Sequence, residues 1–353
     1  MIDLRNLNKQ EIEALCESLS WPRFRGKQIF SWVHQKGITE IDHMTNLSKS
    51  QRQQLQETYT IQPLKLLDTW YGDGGETIKF LWQLADGNTV EQVLMFFSPE
   101  GGKDRVSTCI STQTGCAMGC KFCATALCGK GRNLTAGEMI GQILLANHWC
   151  KENSRPIITN VVYMGMGEPL ANWPAVRKSL QILNDGDGLN IGSRKMTIST
   201  CGLADKIRQL AEENFSMELS VSLHSADDGI RSHLMPINDR YPLDLLMAAC
   251  DEFTRKTGRR ITYEYAMFRD VNDRLVDAEK LANLLKGRLA FVNIIPANPV
   301  PEAGFLPSKG ERIKEFIRIL EKHHIAVAVR QSRGQDINAA CGQLKRRNQN
   351  RSI

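Results

Sequence analysis

The chain has 353 residues, 42% of them apolar and 24% charged, the proportions of a soluble protein with one large core or a large core and an appendage. There is no run of 18 apolar residues and no apolar leader near Met1, so we expect no membrane association and a cytoplasmic location. In that compartment ten cysteines point to ligands, nucleophiles or core residues rather than to a set of disulfides, and a net charge of +6 points mildly to an anionic partner.

Residues 1–60 read as helical and basic. Apolar residues recur at helical spacing over 7–19, and 21–34 mix Arg23, Arg25 and Lys27 with Trp21, Phe24, Phe30 and Trp32. Cations beside aromatics suit a nucleic-acid surface, while Phe24, Ile29, Phe30 and Val33 equally suit the core stripe of a small helical domain. Residues 61–98 change to strand-like alternation with turns at 72–75 and 86–88, a small β linker or extension joining the N-terminal module to the main domain of residues 99–344. From about 105 onward strands are predicted at 106–111, 158–164, 196–200, 217–224, 261–267, 291–295 and 326–330. Helices are predicted between them at 135–151, 174–184, 203–214, 243–257, 277–286 and 310–323. Repeated βα units imply a parallel sheet, open or rolled into a barrel, with chemistry at the C-terminal ends of its strands. The tail, 345–353, is basic.

The loop after the first of these strands carries Cys116, Cys120 and Cys123 in a C-x3-C-x2-C spacing, with Phe122 before the last cysteine. Three thiolates this close together can ligate three irons of a cubic [4Fe–4S] cluster, leaving the fourth iron for a small molecule. Structural zinc is the alternative, but it prefers four closed ligands, usually two C-x2-C pairs. Cys128 comes too soon for a second pair, and Cys150 lies in an apolar helical pattern. At 163–169, the end of the second strand, glycines including Gly167 let backbone approach a ligand, and Glu168 can accept from an ammonium group. Ser199, Ser222, Leu223, His224 and Asn298 also fall at strand exits. Far along the chain Cys341 sits between Ala340 and Gly342, in a stretch too polar for a core strand, which suggests an accessible thiol.

The cysteine triplet opening a βα repeat resembles the radical S-adenosylmethionine (SAM) superfamily. With Cys109 seven residues before the triplet, and with the strings at 132–138, 164–172, 222–225 and 339–344, the chain closely resembles the RlmN/Cfr family of RNA adenine methyltransferases. The likeness runs through 105–344 and more loosely over the N-terminal module. It implies a partial (β/α)6 radical SAM barrel of α/β class with a small helical, RNA-binding N-terminal domain. It implies a [4Fe–4S] cluster on Cys116, Cys120 and Cys123, and SAM against Gly167, Glu168, Ser199, Ser222, Leu223, His224 and Asn298.

The implied reaction uses two molecules of SAM per turnover. Cys341 takes a methyl group from one by displacement, and a 5′-deoxyadenosyl radical from the second removes a hydrogen from that S-methyl. The carbon radical adds to the adenine ring. Loss of the ring proton to a base and attack of Cys109 on Cys341 then free the product and leave a transient disulfide. Glu91 matches the position that the family assigns as proton acceptor, a role that would need a raised pKa; a solvated strand glutamate is the plainer reading. The implied substrates are an adenine of the peptidyl-transferase region of 23S rRNA and the adenine next to the anticodon of some tRNAs, splayed out to reach the radical. The string at 168–172 resembles the branch that methylates carbon 2, and 234–242 resembles the branch that methylates carbon 8 of the same rRNA adenine. A radical enzyme with a non-RNA substrate is a third reading. An electron donor such as flavodoxin or ferredoxin is implied, and we expect a monomer.

Overall fold

The computed structural model describes residues 1–62, 64–98, 102, 104–213 and 215–345. Three helices make the N-terminal module: α1 (Lys9–Ser18), α2 (Phe24–His34) and α3 (Lys49–Thr58). Asn8 and Glu11 form a reciprocal capping box on α1, and Ser48 and Gln51 form one on α3. Short strands β1 (Ile2–Asp3) and β2 (Tyr59–Thr60) pair in parallel and bring the two ends of the module together. Phe30, Ile29 and Val33 are fully buried, so the aromatic-rich stretch supplies the module's core, while Phe24 stays exposed.

Next comes an antiparallel meander of β3 (Lys65–Gly72), β4 (Thr77–Gln83) and β5 (Thr89–Phe97). The meander is part of the main sheet: β5 pairs antiparallel with β6 (Arg105–Cys109), where the parallel repeat begins. Six βα units follow. Helices α4 (Ala124–Leu127) and α5 (Ala136–Glu152) lead to β7 (Asn160–Tyr163), and α6 (Trp173–Asn184) leads to β8 (Met196–Thr200). Helix α7 (Ala204–Leu210) leads to β9 (Glu218–Ser222), and α8 (Asp228–Leu234) with α9 (Leu243–Thr257) leads to β10 (Ile261–Met267). Helix α10 (Leu275–Leu285) precedes β11 (Ala290–Pro296), and α11 (Gly310–Lys322) precedes β12 (Ala326–Val329). The ten strands from β3 to β12 lie in chain order, with β6 to β12 all parallel and β3 and β12 at the edges. This is the expected partial barrel, carrying a three-stranded wall on one edge. The predicted helix over 203–214 ends at Leu210, and the tail from residue 346 lies outside the described residues.

Charge pairs help to tie the N-terminal module to the barrel's helices and to the loop after α6. Lys9 Nζ and Lys27 Nζ meet Asp187 at 2.6 and 2.9 Å, and Lys178 Nζ meets Glu11 at 2.7 Å. Asn6 Oδ1 accepts from the Gly137 N–H at 3.2 Å, and a Cβ on Gly137 would come within 3.0 Å of the Asn6 backbone nitrogen. Several cations that the sequence offers to nucleic acid are therefore spent on other parts of the protein. Arg23 likewise pairs with Glu13, and Arg25 binds Gln28 and the Asn46 carbonyl.

Candidate active site

The cysteine loop leaves β6 and is sealed from behind by backbone. The Thr114 N–H donates to the Arg132 carbonyl and the Cys116 N–H to the Gly129 carbonyl, at 3.0 and 3.1 Å. Gly115 and Gly131 stand back to back: a Cβ on Gly131 would lie 2.3 Å from the Gly115 nitrogen. Only glycine permits that approach. On the far side the Lys121 N–H donates to the Leu234 carbonyl, which ties the loop to the end of α8.

Cys116, Cys120 and Cys123 open on one cavity of about 170 Å³, walled also by Gly167, Glu168, Ser199, Ser222, His224, Asn298 and Cys341. Burial pushes the Cys116 thiol up to about 12 and raises Cys120 and Cys123 as well, so a bound cation's charge is what would hold them as thiolates. Among the described residues no three His, Cys, Asp or Glu side chains close around a single metal ion. A cubane takes one thiolate per corner iron and three thiols facing one cavity can supply three of them, whereas structural zinc calls for four closed ligands.

Glu168 is buried at the start of a tight turn; its Oε1 accepts from the Leu170 N–H and its Oε2 from the Cys201 N–H at 2.8 Å. Burial raises its pKa, and those hydrogen bonds oppose the rise. The Glu168 N–H donates to Gln113 Oε1, and Gly167, with φ +102°, lies so close to Gln113 that a Cβ would sit 2.6 Å from that side chain. His224 also has left-handed backbone, with φ +56°. Its Nδ1 accepts from the Ala266 N–H, so the ring proton is on Nε2, and burial lowers its pKa to about 3. Leu223 is the exception among the expected contacts: its side chain is wholly buried and lines neither cavity. Its N–H is bound to the Glu264 carbonyl and its carbonyl to Arg231. Asn298 reaches the cavity, but its Nδ2 donates to the Cys341 carbonyl at 3.1 Å and its Oδ1 accepts from Gln335, so it serves the Cys341 loop.

A second cavity of about 510 Å³ occupies the barrel interior. It shares a wall with the first, made of Met164, Ile295, Asn298, Arg330 and Cys341, and it contains Cys109. The two thiols so distant in sequence thus meet in one space. Burial first, then the charge of Cys341, pushes Cys109 up to about 12. At the mouth stand Arg105, Arg194, Lys195 and Arg333, with Arg105 and Arg333 on the Phe97 ring at 4.3 and 5.1 Å. Glu91 lines neither cavity. It is fully buried on β5, its Oε2 accepting from the Lys345 N–H at 3.0 Å and its Oε1 3.6 Å from Lys79 Nζ. The plainer reading, a solvated strand glutamate, is overturned by that burial.

Sequence reasoning passed over Lys79, Glu264 and Arg330. Glu264 is buried in β10; its Oε1 accepts from Ser220, while Oε2 has no hydrogen bond and lies 3.8 Å from Arg330 Nη1. An acid inside an apolar strand, and an arginine closing the last predicted strand at 326–330, were the available signals.

Residues 2–61 match the family described as "Ribosomal RNA large subunit methyltransferase N-terminal domain", and 110–285 match the "Radical SAM superfamily". A "Probable dual-specificity RNA methyltransferase RlmN" of Desulfitobacterium hafniense is 46% identical over 346 residues, covering 98% of this chain and 96% of that protein. A Thermotoga sp. protein of the same description is 46% identical over 345 residues, 98% of each chain. The crystal structure of a radical SAM methyltransferase from Sphaerobacter thermophilus superposes with a TM-score of 0.92 at 44% identity, covering 98% of this chain and 99% of that one.

Proposed function

The chain belongs to the RlmN family of radical SAM RNA methyltransferases, and on that premise we propose that it methylates carbon 2 of an adenine in 23S rRNA and in some tRNAs through Cys341. The observation that carries this reading is the place of Cys341, on the wall between the cysteine-ringed cavity and the larger one that also holds Cys109. The donor set fits both cofactors: three thiols facing one cavity for a [4Fe–4S] cluster, and Glu168, Ser199, Ser222 and His224 for SAM. When bound, these groups supply a 5′-deoxyadenosyl radical.

The chain's own residues do the rest. Cys341, as thiolate, accepts a methyl group by displacement, and its S-methyl then gives up a hydrogen atom and bonds to the ring carbon. The barrel cavity is large enough for a nucleoside, and its basic mouth suits the flanking phosphates. In the N-terminal module the exposed Phe24 beside Arg25, and Trp32 under Lys36, offer platforms for unpaired bases. Glu91 takes the ring proton once the loop now bound to it has moved. The adduct's unpaired electron would return to the bound cluster; Cys109 as thiolate then attacks the Cys341 sulfur and breaks its bond to the methylene carbon, which takes up a proton, releasing methylated RNA and leaving a disulfide. The electron comes from a flavodoxin- or ferredoxin-like donor, and the enzyme works as a cytoplasmic monomer.

Anaerobic incubation with SAM, a reductant and 23S rRNA or tRNA, read by mass spectrometry of peptide 333–343 and of the adenine, tests this reading. We expect S-methylated Cys341 and 2-methyladenine. Methylation at carbon 8 would move the enzyme to the other branch, and an unmodified Cys341 with methylated RNA would overturn the mechanism. Cys109→Ala should accumulate protein covalently bound to RNA, because the link forms but cannot be resolved.

A further inference from the structure

Cys341 rides on a segment whose only regular structure is one short turn (Gln335–Ile337), yet its sulfur must keep register with two cavities. The barrel holds one side of this segment. Asn298 donates to the Cys341 carbonyl, the Ala124 N–H to the Gly342 carbonyl and Thr125 Oγ1 to the Leu344 carbonyl, at 3.1, 2.8 and 2.6 Å.

The other side is held by the β3–β5 meander. The Gly334 N–H donates to Asp73 Oδ2 at 2.8 Å, and the Asp73 N–H donates to Asp336 Oδ2 at 3.1 Å. Lys79 Nζ donates to the Asn338 carbonyl at 3.2 Å, and Glu91 Oε2 accepts from the Lys345 N–H at 3.0 Å. In the β4–β5 register Lys79 faces Val93, which makes Lys79 and Glu91 diagonal neighbours on the inner face. Their charged groups are 3.6 Å apart with side chains 1% exposed, and Lys79 Nζ also lies 4.7 Å from the Trp70 ring centroid. A buried ion pair is a poor source of stability, because desolvation offsets most of the attraction. What this pair does is join Asn338 to Lys345, the two flanks of the Cys341 turn.

We propose that the meander is a cradle that positions Cys341, with Lys79 as its buried clasp. The inference rests on the reading of Cys341 as methyl acceptor. Lys79 touches no reacting atom; it acts through the loop. Lys79→Met keeps the length and removes the charge, and Lys79→Arg restores a cation.

Hydrogen exchange of peptide 335–345 in cluster-free protein reads the loop without any chemistry, and Cys341 S-methylation without RNA reads its consequence. In Lys79→Met we expect exchange in 335–345 to rise about tenfold and Cys341 methylation to slow by a similar factor. Iron loading and exchange in the remaining strands should hold at wild-type levels, and Lys79→Arg should recover both readouts. Wild-type exchange and methylation rates in Lys79→Met would overturn the proposal. If that variant unfolds, seen as faster exchange across the whole sheet, the exposed Asp336→Ala decides: it must loosen 335–345 alone, and no change there refutes the cradle. A wild type that never methylates Cys341 would instead refute the function proposed above, whatever the exchange shows.

Discussion

His34 is completely buried in the N-terminal module, with Nε2 3.1 Å from the Leu7 carbonyl. A carbonyl only accepts, so Nε2 carries the proton, and the buried Nδ1 has no partner. Burial disfavours the charged ring and lowers its pKa to about 3. The unfolded chain would bind a proton near pH ~6.5, so the stability His34 confers is present in full above that value. It is lost as the pH falls from there toward 3, with a slope of up to about 1.4 kcal/mol per pH unit for one proton. We expect His34→Gln to flatten the fall of the thermal midpoint between roughly pH 7 and 5; an unchanged slope would contradict the assignment. Arg231 is the comparable residue at the active site. Fully buried, it donates to the carbonyls of Cys201, Ser222 and Leu223 and to Asn238 Oδ1, tying together the exits of β8 and β9. A lysine cannot reach four acceptors in three directions. Arg231→Lys should destabilise by about 2–4 kcal/mol in denaturant unfolding.

At the scale of elements, the cysteine loop depends on two backbones in contact. Gly131→Ala would drive a Cβ against the Gly115 nitrogen and the Thr114 carbonyl carbon, atoms that cannot rotate away. Such overpacking costs about 1–3 kcal/mol and moves the loop. Iron bound per chain after anaerobic reconstitution should drop severalfold, with the thermal midpoint of cluster-free protein falling by much less. Full iron loading in that variant would show that the loop tolerates displacement.

The same elements show what a sequence can disclose. The parallel strands and their helices are legible because buried strands are apolar runs, and a helix such as α11 carries a clean stripe of Ile313, Phe316 and Leu320. Helix α3 buries only Leu55, so no stripe marks it, and its Ser48–Gln51 capping box was the sole available sign. Helices α4 and α8 are too short to show a period. Alternation over 61–98 announces strands, but which edge of the sheet they join is set by tertiary pairing. At the site, the cysteine triplet and the glycine turn can be read because their chemistry is local. Lys79 could not be: its partners, Asn338 and the ion pair under Lys345, become visible only once the meander folds beneath the C-terminal loop.

At the scale of the whole molecule, the question is where an excess of positive charge is free to meet RNA. Much of the N-terminal module's share is engaged: Lys9 and Lys27 converge on Asp187, whose pKa their hydrogen bonds, and then their charges, lower. The cavity mouth differs. Arg105, Arg194 and Lys195 are exposed there, Arg333 is half-buried, and all four line the cavity that holds Cys341. Each cation that neutralises a phosphate releases counterions, steepening the fall of affinity with salt by about 0.7 per contact for single strands. Arg194→Glu with Lys195→Glu should therefore weaken RNA binding and flatten the plot of log Kd against log salt by about 1 to 2 units of slope. RNA-independent methylation of Cys341 should persist, because neither residue lines the cysteine-ringed cavity. Lys27→Ala, by contrast, should leave the salt slope unchanged, since its charge already belongs to Asp187. The reverse pattern, a slope that responds to Lys27 and ignores the mouth, would place the RNA backbone on the helical module and require the base to enter the barrel by another route.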